Sequence, residues 1–152
     1  MFGLFKDQTR DDPQFGLLVK KRGLWTGTLR TPLFPEIDLA ISIKARDESE
    51  FAELRTHLER VVANSGSIRS EIASEALKTY QLYQEEEGDT NAYADITSQD
   101  GIWPLIRPLQ WDFEPDKKHF KSRVVIDFGW PNPHDLVAYL ADTELYLLDV
   151  EG

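Results

Sequence analysis

The residues best suited to acid–base chemistry lie near the carboxyl end of the sequence. Asp127 precedes His134, and Asp135 follows it directly. A histidine oriented by a carboxylate is the core of many general acid–base sites. Asp135 would point away from His134 on a strand, because neighbouring strand residues face opposite sides. Asp127 fits this role if the chain folds back between them. The pattern indicates either a small hydrolase that uses His134 and Asp127, or a histidine that only stabilises a turn.

Other catalytic and cofactor-binding patterns are absent from the sequence. It contains no cysteine, which excludes disulfides, thiol nucleophiles and cysteine-ligated zinc. It also has no glycine-rich phosphate loop and no G-x-S-x-G elbow. His57 lies one position off the apolar stripe of a predicted helix and His119 lies beside two lysines, so we expect both to be at least partly exposed. We predict no catalytic residue, no metal site and no cofactor.

The acidic residues are concentrated in the second half of the chain. The net charge is −10 at pH 7. Residues 1–78 contain twelve basic and twelve acidic residues, whereas residues 79–152 contain five basic and fifteen acidic ones. This charge argues against a protein that reads a nucleic-acid backbone, because such proteins need a basic face. The asymmetry indicates either a solvated surface that maintains solubility or a contact surface for a basic protein.

A helix end and nearby aromatic residues favour the contact surface. Glu85, Glu86 and Glu87 end a predicted helix at the negative pole of its dipole, where local stability favours lysine or arginine. Charge speeds a selective encounter, and aromatic anchors supply affinity. We predict that eight residues bind a partner: Glu85, Glu86, Glu87, Asp89, Tyr93, Asp95, Asp100 and Trp103.

Hydrophobic periodicity changes from two to about 3.6 in the middle of the first half. Apolar residues alternate with others over Ile37–Lys44, which is typical of a strand with one buried face. Asp47 then opens a capping box, and a helical apolar stripe follows over Phe51–Val62. We expect Gly66 to end this helix in the left-handed conformation and Ser67 to cap a second one.

Together with the remaining patterns, these elements predict a single α+β domain that spans residues 1–152. We expect residues 1–13 to be loosely ordered. Three strands precede the two helices and four follow a loop-rich segment. We predict an antiparallel sheet of about seven strands in the order βββ-αα-ββββ, packed by an αα-hairpin. The chain length suits one domain. The lack of a long apolar run, of cysteine and of a secretory signal predicts a cytoplasmic protein that does not cross a membrane.

Three short motifs resemble those of a group of bacterial domains of unknown function. An early F-G-x-L strand is similar to Phe15–Leu18, a W-x-G element to Trp25–Gly27, and a late W-D-x-E-H turn to Trp130–His134. The sequence departs from that turn, because Pro131 replaces the aspartate and Pro133 the glutamate. Small acidic proteins of this kind resemble immunity proteins encoded beside bacterial toxins. The resemblance implies a protein-binding function and identifies no catalytic residue.

The sequence therefore supports three hypotheses. The first is a binding module of the immunity type, which occludes a basic toxin through the acidic surface. The second is the small hydrolase that uses His134 and Asp127. The third is a structural or regulatory subunit that forms a homodimer through a sheet edge or the apolar segment Ile102–Ile106.

Overall fold

The fold is α+β, as predicted, and consists of one large sheet and a set of helices. The computed structural model describes residues 8–87, 96–130, 135–142 and 144–151. The strands are β1 (Gln8–Asp12), β2 (Gly16–Lys21), β3 (Leu24–Leu29), β4 (Leu39–Ile43), β5 (Ile106–Phe113), β6 (Ser122–Phe128), β7 (Asp135–Leu140) and β8 (Leu145–Glu151). The helices are α1 (Glu48–Ala63), α2 (Ser65–Glu87) and α3 (Gln99–Ile102), and a 3-10 turn follows at Trp103–Leu105. Among the described residues, no helix has the length and apolar character needed to cross a membrane.

One parallel strand pair determines how the chain is arranged. The strands lie in the sheet in their chain order, from β1 to β8. Neighbouring strands are antiparallel except β4 and β5, which run parallel with Ile41 beside Trp111 and Ile43 beside Phe113. A parallel pair needs a long crossover connection. The segment between β4 and β5 supplies it and carries α1 and α2, so the helices separate two antiparallel halves of the sheet.

The core lies between these helices and one face of the sheet. In β4, Leu39 and Ile41 are buried while Ala40 between them is exposed. At the centre, the rings of Trp111 and Phe113 stack with centroids 4.8 Å apart. Large aromatic groups contribute much of the apolar area that stabilises such a core. Because the helices cover one face, alternate strand residues on the other face remain accessible.

The first strand lies within residues 1–13, which the sequence predicts to be loosely ordered. Gln8–Asp12 forms β1 and pairs antiparallel with β2. Its residues are mostly polar, so hydrophobic alternation does not reveal it. Arg10 of β1 instead lies over the ring of Phe51 in α1, 3.8 Å from the centroid, and forms an ion pair with Glu48. Contacts with α1 therefore hold this strand in place.

A buried carboxylate also holds β1. One oxygen of Asp12 accepts hydrogen bonds from the backbone N–H groups of Gln14 at 2.9 Å and Phe15 at 3.0 Å. The other accepts one from Arg55 of α1 at 2.7 Å. Burial raises the pKa of Asp12, but these backbone groups and Arg55 outweigh it, so the pKa lies below its usual value. The charged Asp12 thus connects the first hairpin to α1.

The junction of the two long helices is tighter than the sequence suggests. Asn64 alone separates them, and α2 begins at Ser65, so the expectation that Gly66 ends α1 and Ser67 caps α2 is wrong. The N–H of Asn64 bonds to the carbonyl of Arg60, and its own carbonyl accepts the N–H of Ile68. Backbone hydrogen bonding therefore passes from one helix to the next, and no left-handed residue is needed.

Two glycines explain the early motifs in physical terms. Gly16 has φ +79°, a conformation that other residues adopt only with strain. At Gly27, a Cβ atom would lie 2.8 Å from the carbonyl oxygen of Leu17, so β3 approaches β2 closely only because this position has no side chain. Both glycines therefore serve the β1–β3 part of the sheet.

The substitution Asp12→Ala should destabilise the protein by about 3 kcal/mol. It removes the acceptor of the Gln14 and Phe15 N–H groups and the buried partner of Arg55, which keeps only the exposed Glu48. Urea unfolding measures this change. The neighbouring Asp11 is exposed and forms no ion pair among the described residues, so Asp11→Ala is the matched control, with an expected change within about 0.5 kcal/mol. Equal effects of the two substitutions would contradict the role of Asp12.

Candidate functional site

The structure describes the side chains of Glu85, Asp100 and Trp103 from the predicted partner-binding set. Asp89, Tyr93 and Asp95 lie outside the described residues, as do the side chains of Glu86 and Glu87. The described part of the predicted surface therefore consists of α2, α3 and the turn that follows α3.

The acidic end of α2 remains helical. The helix continues through Glu87, and no basic residue occupies its last turn. Glu85 is exposed, and no described residue forms an ion pair with it. Each negative charge at this end interacts unfavourably with the helix dipole and destabilises the helix by a few tenths of a kcal/mol. The rest of the fold therefore holds a helix end that local electrostatics disfavours.

An outward-facing stripe on α2 extends this negative surface beyond the residues that the sequence suggested. Spacings of three and four residues place the members of the stripe on one side of the helix. We call Glu71, Glu75, Lys78, Leu82 and Glu85 the α2 stripe. Leu82 is 58% exposed, and among the described residues neither Glu71 nor Glu75 has a cationic partner. The same helical spacing in the sequence could have identified these additional residues.

Asp100 lies next to α2 because α3 is tied to that helix. The Oγ of Ser98 caps α3 by accepting the N–H of Gly101 at 3.1 Å. Ser70 of α2 donates a hydrogen bond to Gln99 of α3 at 3.0 Å. Asp100 itself is exposed and has no ion pair within the described ranges. We call Glu71, Glu75, Glu85 and Asp100 the acidic surface.

Trp103 is not an open aromatic anchor. The guanidinium of Arg69 lies 3.7 Å from the centroid of its ring, a favourable cation–π contact. Arg69 also donates to the carbonyl of Leu33 and pairs with Glu36, both at 2.8 Å. Trp103 is therefore half-buried beneath a fixed cation, which limits its contribution to a contact surface.

Other carboxylates of the second half are partly neutralised. Asp112 lies 3.5 Å from Arg123, and three more carboxylates pair with cations of the first half. These pairs are Glu114 with Lys44, Asp116 with Arg46, and Asp142 with Arg60. The negative surface is therefore narrower than the composition of residues 79–152 suggests, and it is centred on α2 and α3.

The structure describes some of the residues on which the hydrolase and homodimer hypotheses depend. His134 lies outside the described residues, and Asp127 is half-buried on β6 opposite Arg107, so their pairing stays a prediction. Ile102 and Ile106 are buried in the core. The segment Ile102–Ile106 consequently presents mainly Pro104 to the surface, and its apolar residues are already packed within the chain.

His57 is buried, and the expectation that it is partly exposed is wrong. Its side chain is 0% exposed. Its Nδ1 lies 2.9 Å from Asp142 and its Nε2 lies 2.7 Å from the Oγ of Ser122. Because a carboxylate only accepts, Nδ1 carries the proton, and the neutral ring accepts from Ser122. Arg60 holds the second oxygen of Asp142 at 2.6 Å.

This serine–histidine–aspartate network has the hydrogen-bond order of a hydrolase triad, but the hydroxyl is enclosed. Ser122 is 2% exposed, and the strand alternation directs it to the core face while Arg123 is exposed. A nucleophile must reach its substrate. The network instead joins α1 to β6 and to the turn between β7 and β8. We therefore assign it a structural role.

Within the described part of the chain, no three His, Asp or Glu side chains group as metal ligands.

The His57 network predicts a pH-dependent stability. Burial lowers the pKa of His57 below its ordinary 6.5, although Asp142 opposes this effect. The unfolded chain then binds a proton that the folded protein excludes. The free energy of unfolding should decrease as the pH falls below about 6.5 towards the folded pKa, by at most about 1.4 kcal/mol per pH unit.

Urea unfolding between pH 5.5 and 7.5 measures this dependence. His57→Gln removes the titrating group while retaining a polar side chain, so the part of the slope that His57 contributes should disappear. Thr56 is exposed on the same helix, and Thr56→Gln, which involves no titrating group, is the control that should leave the slope unchanged. An identical slope in the wild type and the His57 variant would contradict the assignment.

The chain matches a known protein family. A family model described as a domain of unknown function, DUF6985, matches residues 14–137, which include both long helices and the strands from β2 to β6. Comparisons with curated proteins and with solved structures found no significant match. Because the family model covers most of the chain, the protein belongs to the DUF6985 family, whose shared domain has no assigned function.

Proposed function

We propose that this protein is a binding module that contacts a basic partner protein through the acidic surface. The observation that carries the proposal is a set of carboxylates on α2 and α3 that form no ion pair with any described residue. Glu71, Glu85 and Asp100 are exposed, and Glu75 is half-buried. Asp112, Glu114, Asp116 and Asp142, in contrast, have cationic neighbours within the chain. Glu85 adds a helix end whose charge does not favour local stability.

The α2 stripe combines two properties that a partner surface uses. Glu71, Glu75 and Glu85 supply negative charge, which attracts a basic protein over a distance of about 10 Å at 0.1 M salt. Leu82, which is 58% exposed, supplies an apolar contact in the middle of that charge. Apolar contacts at the centre of an interface contribute much of its affinity, and the surrounding charges govern selectivity and association rate.

We further propose that the partner is a toxin and that the protein is of the immunity type. Support comes from its small size and acidic composition, in which it resembles immunity proteins encoded beside bacterial toxins. Neutralisation would be steric: the helical face would occlude a basic cleft of the toxin. This mechanism requires no catalytic group in this chain.

The product of the neighbouring reading frame is the probe for this proposal. When expressed in a bacterial host, it should arrest growth, and co-expression of this protein should restore growth. Association of the two purified proteins, measured by stopped-flow fluorescence, should slow by tenfold or more between about 0.05 and 0.5 M salt. The double variant Glu71→Lys/Glu85→Lys should abolish growth rescue.

The double variant Asp11→Lys/Glu144→Lys is the matched control. It changes the net charge equally at exposed acids outside α2 and α3, and it should retain most of the rescue. Equal loss in both double variants would show that overall charge, and not the acidic surface, determines binding. A neighbouring product that does not affect growth would contradict the toxin part of the proposal.

A further inference from the structure

The open face of the sheet contains a cavity that the proposed function does not use. Its volume is about 420 Å³, within the range of small-molecule sites. It lies where the ends of β4 and β5, the start of β6 and the turn between β5 and β6 meet. Arg123 and Ser42 face it from positions that alternate with buried residues on β6 and β4. The acidic surface lies on the helices, which cover the other face.

The cavity is positively charged although the protein is strongly acidic. Its lining includes four cationic side chains and two carboxylates. These residues are Lys44, Lys117, Lys121, Arg123, Asp112 and Glu114. One of the cations, Lys121, pairs with Glu53 of α1 at 2.8 Å, so the net charge is +1 when Glu53 is included. The basic residues of the second half are otherwise scarce, so their position around one cavity concentrates positive charge where a ligand could enter.

Several of these cations are loosely held within the chain. Lys44 lies 3.4 Å from Glu114, and Arg123 lies 3.5 Å from Asp112, both long for charge-assisted hydrogen bonds. Asp112 already accepts a hydrogen bond from Ser42 at 2.6 Å. Lys117 has no ion pair among the described residues. These side chains can therefore turn towards a bound anion without breaking a strong contact.

Apolar and aromatic side chains form another part of the lining. The rings of Phe120 and Tyr139 meet edge to face with centroids 4.7 Å apart. Leu24, at the end of the hairpin between β2 and β3, lies in the same lining. A flat ring packs well against such a wall, because aromatic pairs gain from stacked and edge-on contact.

We propose that this cavity binds a nucleoside monophosphate. The phosphate group carries a charge of about −1.5 to −2 at pH 7, opposite in sign to that of the lining, and Arg123 and Lys117 would hold it. The base would lie against Phe120 and Tyr139. Ser42, whose hydroxyl hydrogen goes to Asp112, would accept a hydrogen bond from a hydroxyl or amino group of the ligand. This inference does not depend on the proposed partner binding, because it uses different residues on a different face.

Isothermal titration calorimetry with the four nucleoside 5′-monophosphates tests the proposal on the full chain. At least one should bind with a dissociation constant below about 1 mM. The matching nucleoside, which lacks the phosphate, and inorganic phosphate, which lacks the ring, should each bind at least tenfold more weakly. Absence of binding by all four at millimolar concentration would overturn the proposal, as would equal binding of the nucleoside or of inorganic phosphate.

Substitutions test whether the ligand binds in this cavity. Arg123→Gln and Lys117→Gln should each weaken binding by about tenfold, the size expected for a lost charge-assisted hydrogen bond. Lys118→Gln removes the same charge from the adjacent exposed lysine, which is not part of the lining, and should change affinity less than twofold. If Lys118→Gln weakens binding as much as Lys117→Gln, or if neither cavity variant has an effect, the proposed site is wrong.

Discussion

β4 and β5 run parallel at the centre of the sheet, and the arrangement of the other elements follows from this pairing. Two antiparallel halves, β1–β4 and β5–β8, meet at this pair. Because parallel neighbours cannot be joined by a tight turn, the chain must leave the sheet and return. It does so through α1 and α2, which cover one face and complete the core. The same connection gives the molecule two unlike surfaces, one helical and one formed by open strands.

Polar contacts fix the position of α1 against both halves of the sheet. Asp12 connects the helix to the first hairpin, while His57 connects it to β6 and to the last turn. These buried groups are costly to desolvate, so each needs its full set of partners. Once these partners are in place, the polar contacts define the position of the helix more strictly than apolar packing alone. With α1 fixed, Asn64 fixes where α2 begins.

Local sequence patterns predicted the helices and strands better than they predicted the contacts between these elements. The alternation around Leu39–Ile43 and the cap at Asp47 were visible because neighbouring residues determine them; the Oδ1 of Asp47 does accept the N–H of Glu50 at 3.0 Å. The burial of His57 was not visible, since Ser122 and Asp142 are distant in sequence. For the candidate surface, the charge count pointed to the second half, but pairing with first-half cations could be seen only in three dimensions.

We propose that the helical face is the protein-binding face. Hydrogen–deuterium exchange of the protein, alone and with the neighbouring reading frame's product bound, tests it most directly, because a docked partner suppresses local opening beneath it. Binding at the helical face should slow exchange along α2 from Glu71 onwards and in α3, with the strands of the open face unchanged. Slower exchange confined to the turns around the cavity, with α2 unaffected, would contradict it.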